Sequence, residues 1–246
     1  MTNQAARQSE PLSRKLSVFA PLRAEELAFL EKLQGPRIFC NAGKEILYEG
    51  QHGHSAYILH EGWVYSYKRL HDGARQIIDV KIPGDFLGAR SLPLRACDQS
   101  YVALTDVEIS RINTERLWDA FRGEQRLALA LLWAAARDGA MVVEHLVSIG
   151  RRDALTRTAH FLLELGARMR LVGQGTTESY GCPLSQNLLA DALGLTSIHL
   201  NRVLRQMREA NLLLFRDGVV TFLDRETLAE ITGFDLAYLD HGAPSR

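Results

Sequence analysis

Between roughly Arg37 and Ile112 the chain alternates apolar and polar positions in short runs. SAYILH, WVYSYKRL and RQIIDVKI mix β-branched, aromatic and polar residues in near alternation, the pattern of strands buried on one face. Glycines at 43, 50, 53, 62, 73, 84 and 88 cut these runs, two of them in Asp-Gly and Pro-Gly pairs, so the strands are short and turn often. A small β-sandwich or jelly-roll barrel is predicted. Ahead of it, PLRAEELAFLEKL spaces its leucines as a short amphipathic helix, and MTNQAARQSEPLSRK reads as a polar, mobile tail.

From about Thr114 the periodicity changes. TERLWDAFRGEQRLALALLWAAARDGAMVVEHLVSIGRRDAL has no proline and is rich in Ala, Leu, Arg and Glu, which predicts long helix. Leu131, Ala135, Gly139, Val142, Leu146 and Ile149 recur three or four residues apart, a stripe with small residues in its middle. Such a helix either lies on its own core or pairs with its twin; the small residues favour close pairing in a dimer. Beyond Arg151, HFLLELGARMRL is an amphipathic helix and VGQGTTESYG a polar loop. In LLLFRDGVVTFLD two apolar runs flank Asp217-Gly218, a pair that tolerates the positive φ of a tight hairpin. RETLAEITGF is a last short helix. The predicted fold class is α+β, divided as tail 1–19, β-roll 20–122, long dimerisation helix 123–150 and winged helix-turn-helix 151–246.

The stretch LADALGLTSIHLNRVLRQMRE carries the chemistry. Ser185 caps a first helix whose Leu188, Leu189 and Ala192 pack inward. Ala190 leaves room for a second helix, and Gly194 supplies the turn. Thr196 or Ser197 caps the second helix, which Leu195, Leu200 and Leu204 anchor. That arrangement leaves Ser197, Ile198, His199, Asn201 and Arg202 exposed, and all but the isoleucine suit phosphates or base edges. From Ser197 to Asp217 four arginines face two acids, so the segment is locally basic, and the hairpin after it lies where a wing would flank the groove. The predicted ligand is double-stranded DNA.

Composition bounds the rest. The 246 residues are 46% hydrophobic and 24% charged with zero formal net charge, which excludes a uniformly basic surface but not a local patch. Cys40, Cys97 and Cys182 are far apart, which suits a reducing compartment and excludes a sequence-local zinc or iron–sulfur cluster. The longest apolar run, Leu127 to Ala136, is about half of the ~20 residues a membrane span needs. No secretion signal opens the chain, so the expectation is cytoplasmic. Two other function classes remain open. His52 and His54 have the opening spacing of a metal-binding cupin, although Glu61 falls too late and the PGDFLGARSLPL segment lacks the downstream His of that pattern; and a β-roll adaptor could bind a small molecule and a protein without DNA.

AGKEILYEG, YILHEGWVYSY, PGDFLGA, the long helix and PLSQNLLADALGLTSIHLNRVLRQMRE together resemble the Crp/Fnr family of transcription regulators, across roughly residues 20 to 240. The resemblance implies a homodimer with a cyclic-nucleotide-binding-like β-roll and a winged helix-turn-helix that reads near-palindromic promoter sites, with surface loops that touch RNA polymerase. Ser197, Ile198, Asn201 and Arg202 then read bases, while Ser185, Gln186, Thr196, His199 and Arg205 hold phosphates. Members that bind cyclic AMP have Glu where this chain has Ala89, and an Arg-Ser pair near Cys97 and Asp98; Arg95 is a poor substitute, and an aspartate there repels phosphate. Cyclic AMP, a haem and the iron–sulfur centre of the oxygen-sensing branch are therefore not expected, and the effector is unknown. The reading left is the FixK-like branch, without a tightly bound cofactor and controlled by its own abundance. Cys182, just before the first helix of the pair, is a candidate redox thiol, set against a structural cysteine.

Overall fold

The computed structural model describes residues 8–239. A helix, α1 (Pro11–Ser17), lies where a mobile tail was expected. Its Leu12 and Leu16 are buried, and so is Lys15, whose Nζ donates to Asp85 Oδ1 at 2.7 Å and Asp138 Oδ1 at 3.2 Å. Gly84 admits this helix: its φ is +89° and a Cβ there would stand 2.8 Å from the Pro11 backbone. The tail expectation fails for α1 because a buried ammonium with two carboxylate partners and two buried leucines anchor it; the rest of that expectation, Met1–Arg7, lies outside the described residues.

Helix α2 (Ala24–Leu33) follows, as its leucine spacing predicts. Eight strands then form the roll: β1 (Gln34–Cys40), β2 (Glu45–Leu47), β3 (Tyr57–Glu61), β4 (Val64–Arg69), β5 (Arg75–Lys81), β6 (Phe86–Leu87), β7 (Ser100–Ala103) and β8 (Val107–Ile112). They lie in two sheets ordered β1-β8-β3-β6 and β2-β7-β4-β5. Antiparallel register sets Leu59 opposite Ile109 and Ser66 opposite Tyr101. Leu47, Leu59, Val64, Leu87, Val107 and Ile109 close the interior between the sheets.

The helical stretch after Thr114 is two helices, α3 (Thr114–Gly123) and α4 (Gln125–Arg151). The break is Glu124, at φ −105° and ψ 66°. Of the predicted apolar stripe on α4, Leu131 is buried, Gly139 and Val142 are half-buried, and Ala135, Leu146 and Ile149 are exposed. Leu131 packs inward with Leu127, Ala130 and Ala134 against Leu16, Leu33 and Ile58, and Met141 is buried too. Leu129, Leu132, Ala136 and Val143 are exposed as well, in one line with Gly139 and Leu146. Their spacing of three and four residues in strict alternation is a heptad seam.

The structure divides within α4. One unit holds the described residues up to Tyr67 with Val80–Gly139, the other Lys68–Asp79 with Ala140–Leu239. In the second unit α5 (Ala154–Leu171) is the central helix, started by Asp153, whose Oδ1 accepts from Thr156 N at 2.9 Å. Its Phe161, Leu162, Leu163, Leu165 and Met169 are buried. Strand β9 (Ser179–Gly181) follows, in a stretch expected to be loop; Tyr180 is buried there and donates its hydroxyl to Leu162 O at 2.9 Å. Then come α6 (Gln186–Leu193), α7 (Ser197–Glu209), β10 (Leu213–Arg216), β11 (Val219–Phe222) and α8 (Arg225–Thr232). The small sheet runs β10-β11-β9. Among the described residues no helix is long and apolar enough to cross a membrane.

Candidate DNA interface

Local chemistry builds the helix pair. Ser185 Oγ accepts from Leu188 N at 3.2 Å and starts α6. Gly194 ends it in the left-handed conformation, φ 61° and ψ 37°, where a Cβ would be strained. Thr196, rather than Ser197, caps α7, its Oγ1 accepting from His199 N at 3.2 Å. Leu200, Val203 and Met207 recur along the buried face of α7, with Leu204 half-buried beside them. Leu189, Ala190 and Leu193 of α6 are buried too.

The opposite face of α7 is open. Ile198 is 76% exposed, and Asn201, Arg202 and Arg205 are exposed with it, one stripe at helical spacing. Ser197 stands apart from the other three base-reading candidates. It is half-buried, and its hydroxyl donates to Asn187 Oδ1 at 2.7 Å. Of the phosphate candidates, Gln186 and His199 are exposed, while the Ser185 and Thr196 side chains are occupied as caps. Arg205 Nε donates to Glu209 Oε1 at 2.7 Å, a bond that holds the Glu209 carboxyl below its ordinary range. A concavity of about 440 Å³ runs between α7 and β10, lined by Gln186, Asn201, Arg202, Arg205, Arg208 and Phe215. Phe215 has no signal in the sequence pattern, while Arg208 belongs to the basic run already read there, three residues past Arg205.

The wing forms as its turn residues dictate. Asp217 (φ 51°) and Gly218 (φ 72°) are both left-handed, as a two-residue hairpin turn of this twist requires. Cys182 N donates to Gly218 O at 2.7 Å and ties this turn to the segment before α6. The Cys182 thiol is only 1% exposed, and burial pushes it up to about 12. A reactive thiol needs the reverse on both counts, so the redox candidate is corrected to a structural cysteine.

Elsewhere in this unit, α4 and α5 meet in a buried ionic cluster. Burial by itself lowers the His145 pKa, but the Glu164 carboxylate, with Asp79 beyond it, raises it to about 9 against the opposing charge of Arg168. His145 Nε2 donates to Glu164 Oε1 at 3.0 Å, and Tyr238 donates its hydroxyl to Glu164 Oε2 at 2.9 Å. His160 is the contrasting case. Burial first, then the nearby Arg152, lowers it to about 4, and its ring packs edge-on to Phe234 and stacks on Tyr238.

In the roll, the side chains around Ala89, Cys97 and Asp98 bond to one another. His54 Nε2 meets Ser91 Oγ at 2.9 Å, Cys97 Sγ donates to Gln99 O at 3.2 Å, and Gln99 Nε2 donates to Tyr101 OH at 2.6 Å. Arg90 pairs with Asp98 at 2.6 Å. With Ala89 in place of a carboxylate and the Arg90 guanidinium bound to Asp98, these residues do not fit a cyclic nucleotide. His52 and His54 also diverge from a cupin site: His52 Nδ1 meets Arg95 O at 3.0 Å while His54 faces Ser91, and no group of three metal-ligating side chains occurs among the described residues.

Two family models match the two halves of this geometry: a cyclic nucleotide-binding domain over residues 37–124 and a Crp-like helix-turn-helix domain over 156–231. The nitrogen fixation regulation protein FixK of Bradyrhizobium diazoefficiens is 31% identical over 212 residues, 86% of this chain and 87% of that protein. The chain belongs to the Crp/Fnr family. FixK of Rhizobium meliloti is 29% identical over 87% of this chain and 92% of that protein. The transcriptional activatory protein AadR of Rhodopseudomonas palustris is 31% identical over 72% and 73%. The solved structure of FixK2 from Bradyrhizobium japonicum superposes with a TM-score of 0.70 at 26% identity, covering 79% of this chain and 96% of that one. As a Crp/Fnr-type protein with a helix-turn-helix DNA-binding domain, the chain is a transcription regulator and not an enzyme.

Proposed function

We propose that this regulator binds near-palindromic double-stranded DNA as a homodimer, inside the cell and without cyclic AMP, and that it activates transcription through contact with RNA polymerase. The observation that carries the reading is the open stripe of α7, where Ile198, Asn201, Arg202 and Arg205 reach solvent beside a basic concavity. Arg202 grips a guanine edge with both terminal nitrogens, Asn201 pairs with adenine, and Ile198 lies against a thymine methyl. Gln186, His199 and Arg205, with the backbone amides that Ser185 and Thr196 help to orient, hold phosphates and set the register.

The heptad seam on α4 supports the dimer. An exposed line of Leu129, Leu132, Val143 and Leu146, with Ala136 and Gly139 between, suits a second copy of the same helix, since small residues let two backbones approach. Two recognition helices then meet half-sites ~34 Å apart, one turn of the duplex. The test is selection of bound duplexes from a randomised pool at near-physiological salt with no ligand added. A two-fold symmetric site is expected. Binding that depends on salt but selects no sequence would overturn the effector-free reading, and absence of DNA binding would overturn the interface.

A further inference from the structure

The last carbonyls of a helix have no partners within it, and its C-terminus carries negative partial charge. Arg157, in the first turn of α5, gathers such groups from two places. Its Nη1 donates to Leu193 O, the last residue of α6, at 2.7 Å. Its Nη2 donates to Ile149 O in the last turn of α4 and to Arg152 O just beyond it, both at 3.0 Å. Leu193 immediately precedes Gly194, the pivot of the helix-turn-helix, and Ile149 and Arg152 flank the bend from α4 into α5. One rigid guanidinium therefore ties the end of the long helix to the pivot of the recognition head. Lysine, a single ammonium on a flexible stem, cannot present that planar fork.

We propose that Arg157 is a positioning residue for DNA recognition: it sets the angle at which α7 is carried from the end of α4, and so the spacing of the half-sites a dimer accepts. The proposal rests on the homodimer reading above. Full-length Arg157→Lys and Arg157→Ala proteins are compared with the parent by thermal unfolding, by selection from duplexes whose spacer length is also varied, and by amide hydrogen exchange without DNA. Both variants should accept spacers that the parent rejects and lose roughly 10-fold in affinity for the parent's preferred site, while the salt dependence of binding to random DNA stays the same. Exchange should quicken roughly 10-fold at residues 150–154 and 194–196, with the centre of α5 unchanged.

A Lys variant with the parent's spacer preference and affinity would overturn the proposal. So would faster exchange spread evenly over the unit, because that is the mark of a purely structural contribution. If the Ala protein does not fold, the Lys protein carries the comparison alone. A parent that selects only single half-sites removes the dimer reading, and the exchange pattern still decides for or against the clamp.

Discussion

Ile198 is an aliphatic side chain held in water at the start of a helix whose other face buries Leu200, Val203 and Met207. It can offer a groove only shape and apolar contact, so under the proposed function hydrogen-bonded readout falls to Asn201 and Arg202. Arg202→Ala is expected to weaken specific binding by about 1–3 kcal/mol and to relax one position of the selected site; unchanged affinity and site preference would remove it from the reading set. Ser197 has a different role. Its hydroxyl already serves Asn187 at 2.7 Å, so Ser197→Ala should cost about 1 kcal/mol of stability and leave the selected sequence as it was, which the same selection checks.

The elements around the α4–α5 bend are joined by groups with opposed titrations. His145 is held at about 9 by Glu164, so its contribution is complete below the ordinary histidine value of 6.5 and is lost as pH rises through about 9. Glu164 is shifted the other way: burial raises it, but His145 and Arg168 bring it below its ordinary value, so its contribution is present above that value and lost in acid. His160 is neutral in the fold, with its pKa lowered to about 4, so protonation of the unfolded chain removes stability as pH falls from 6.5 toward 4. Thermal stability should therefore peak near neutral pH and fall on the alkaline side by at most about 1.4 kcal/mol per pH unit from this source. His145→Gln should flatten the alkaline fall between pH 6.5 and 9; an unchanged slope in calorimetry would exclude the pair as its cause.

At the scale of the whole molecule, the proposed dimer links two heads, and affinity for a paired site then depends on that link. Leu132 is 58% exposed and Leu146 70%, so a charge at either position disturbs no core of its own chain. Leu132→Asp with Leu146→Asp should yield a folded monomer by sedimentation and lower affinity for the paired site by roughly 10²–10⁴. A variant that stays dimeric would move the interface elsewhere.

Local rules were enough for much of this protein. The two caps at Ser185 and Thr196, the glycine turn at 194, the Asp217-Gly218 hairpin and the alternating strands of the roll all depend on residues within a few positions of one another, and such interactions are written in sequence order. The same locality made the stripe of Ile198, Asn201 and Arg202 legible before any coordinates. What the tertiary structure decided depends on partners far along the chain. Pro11–Ser17 is a helix against the roll because Lys15 meets carboxylates 70 and 123 residues away. β9 is a strand because β11 supplies its hydrogen bonds. On α4, a helix apolar on more than one side, periodicity could not say which flank the core would take, and packing against Leu16, Leu33 and Ile58 chose Leu131 and left Leu129 and Leu132 outside. Burial settled Cys182 in the same way, since the exposure and pKa of a thiol belong to the residues folded over it.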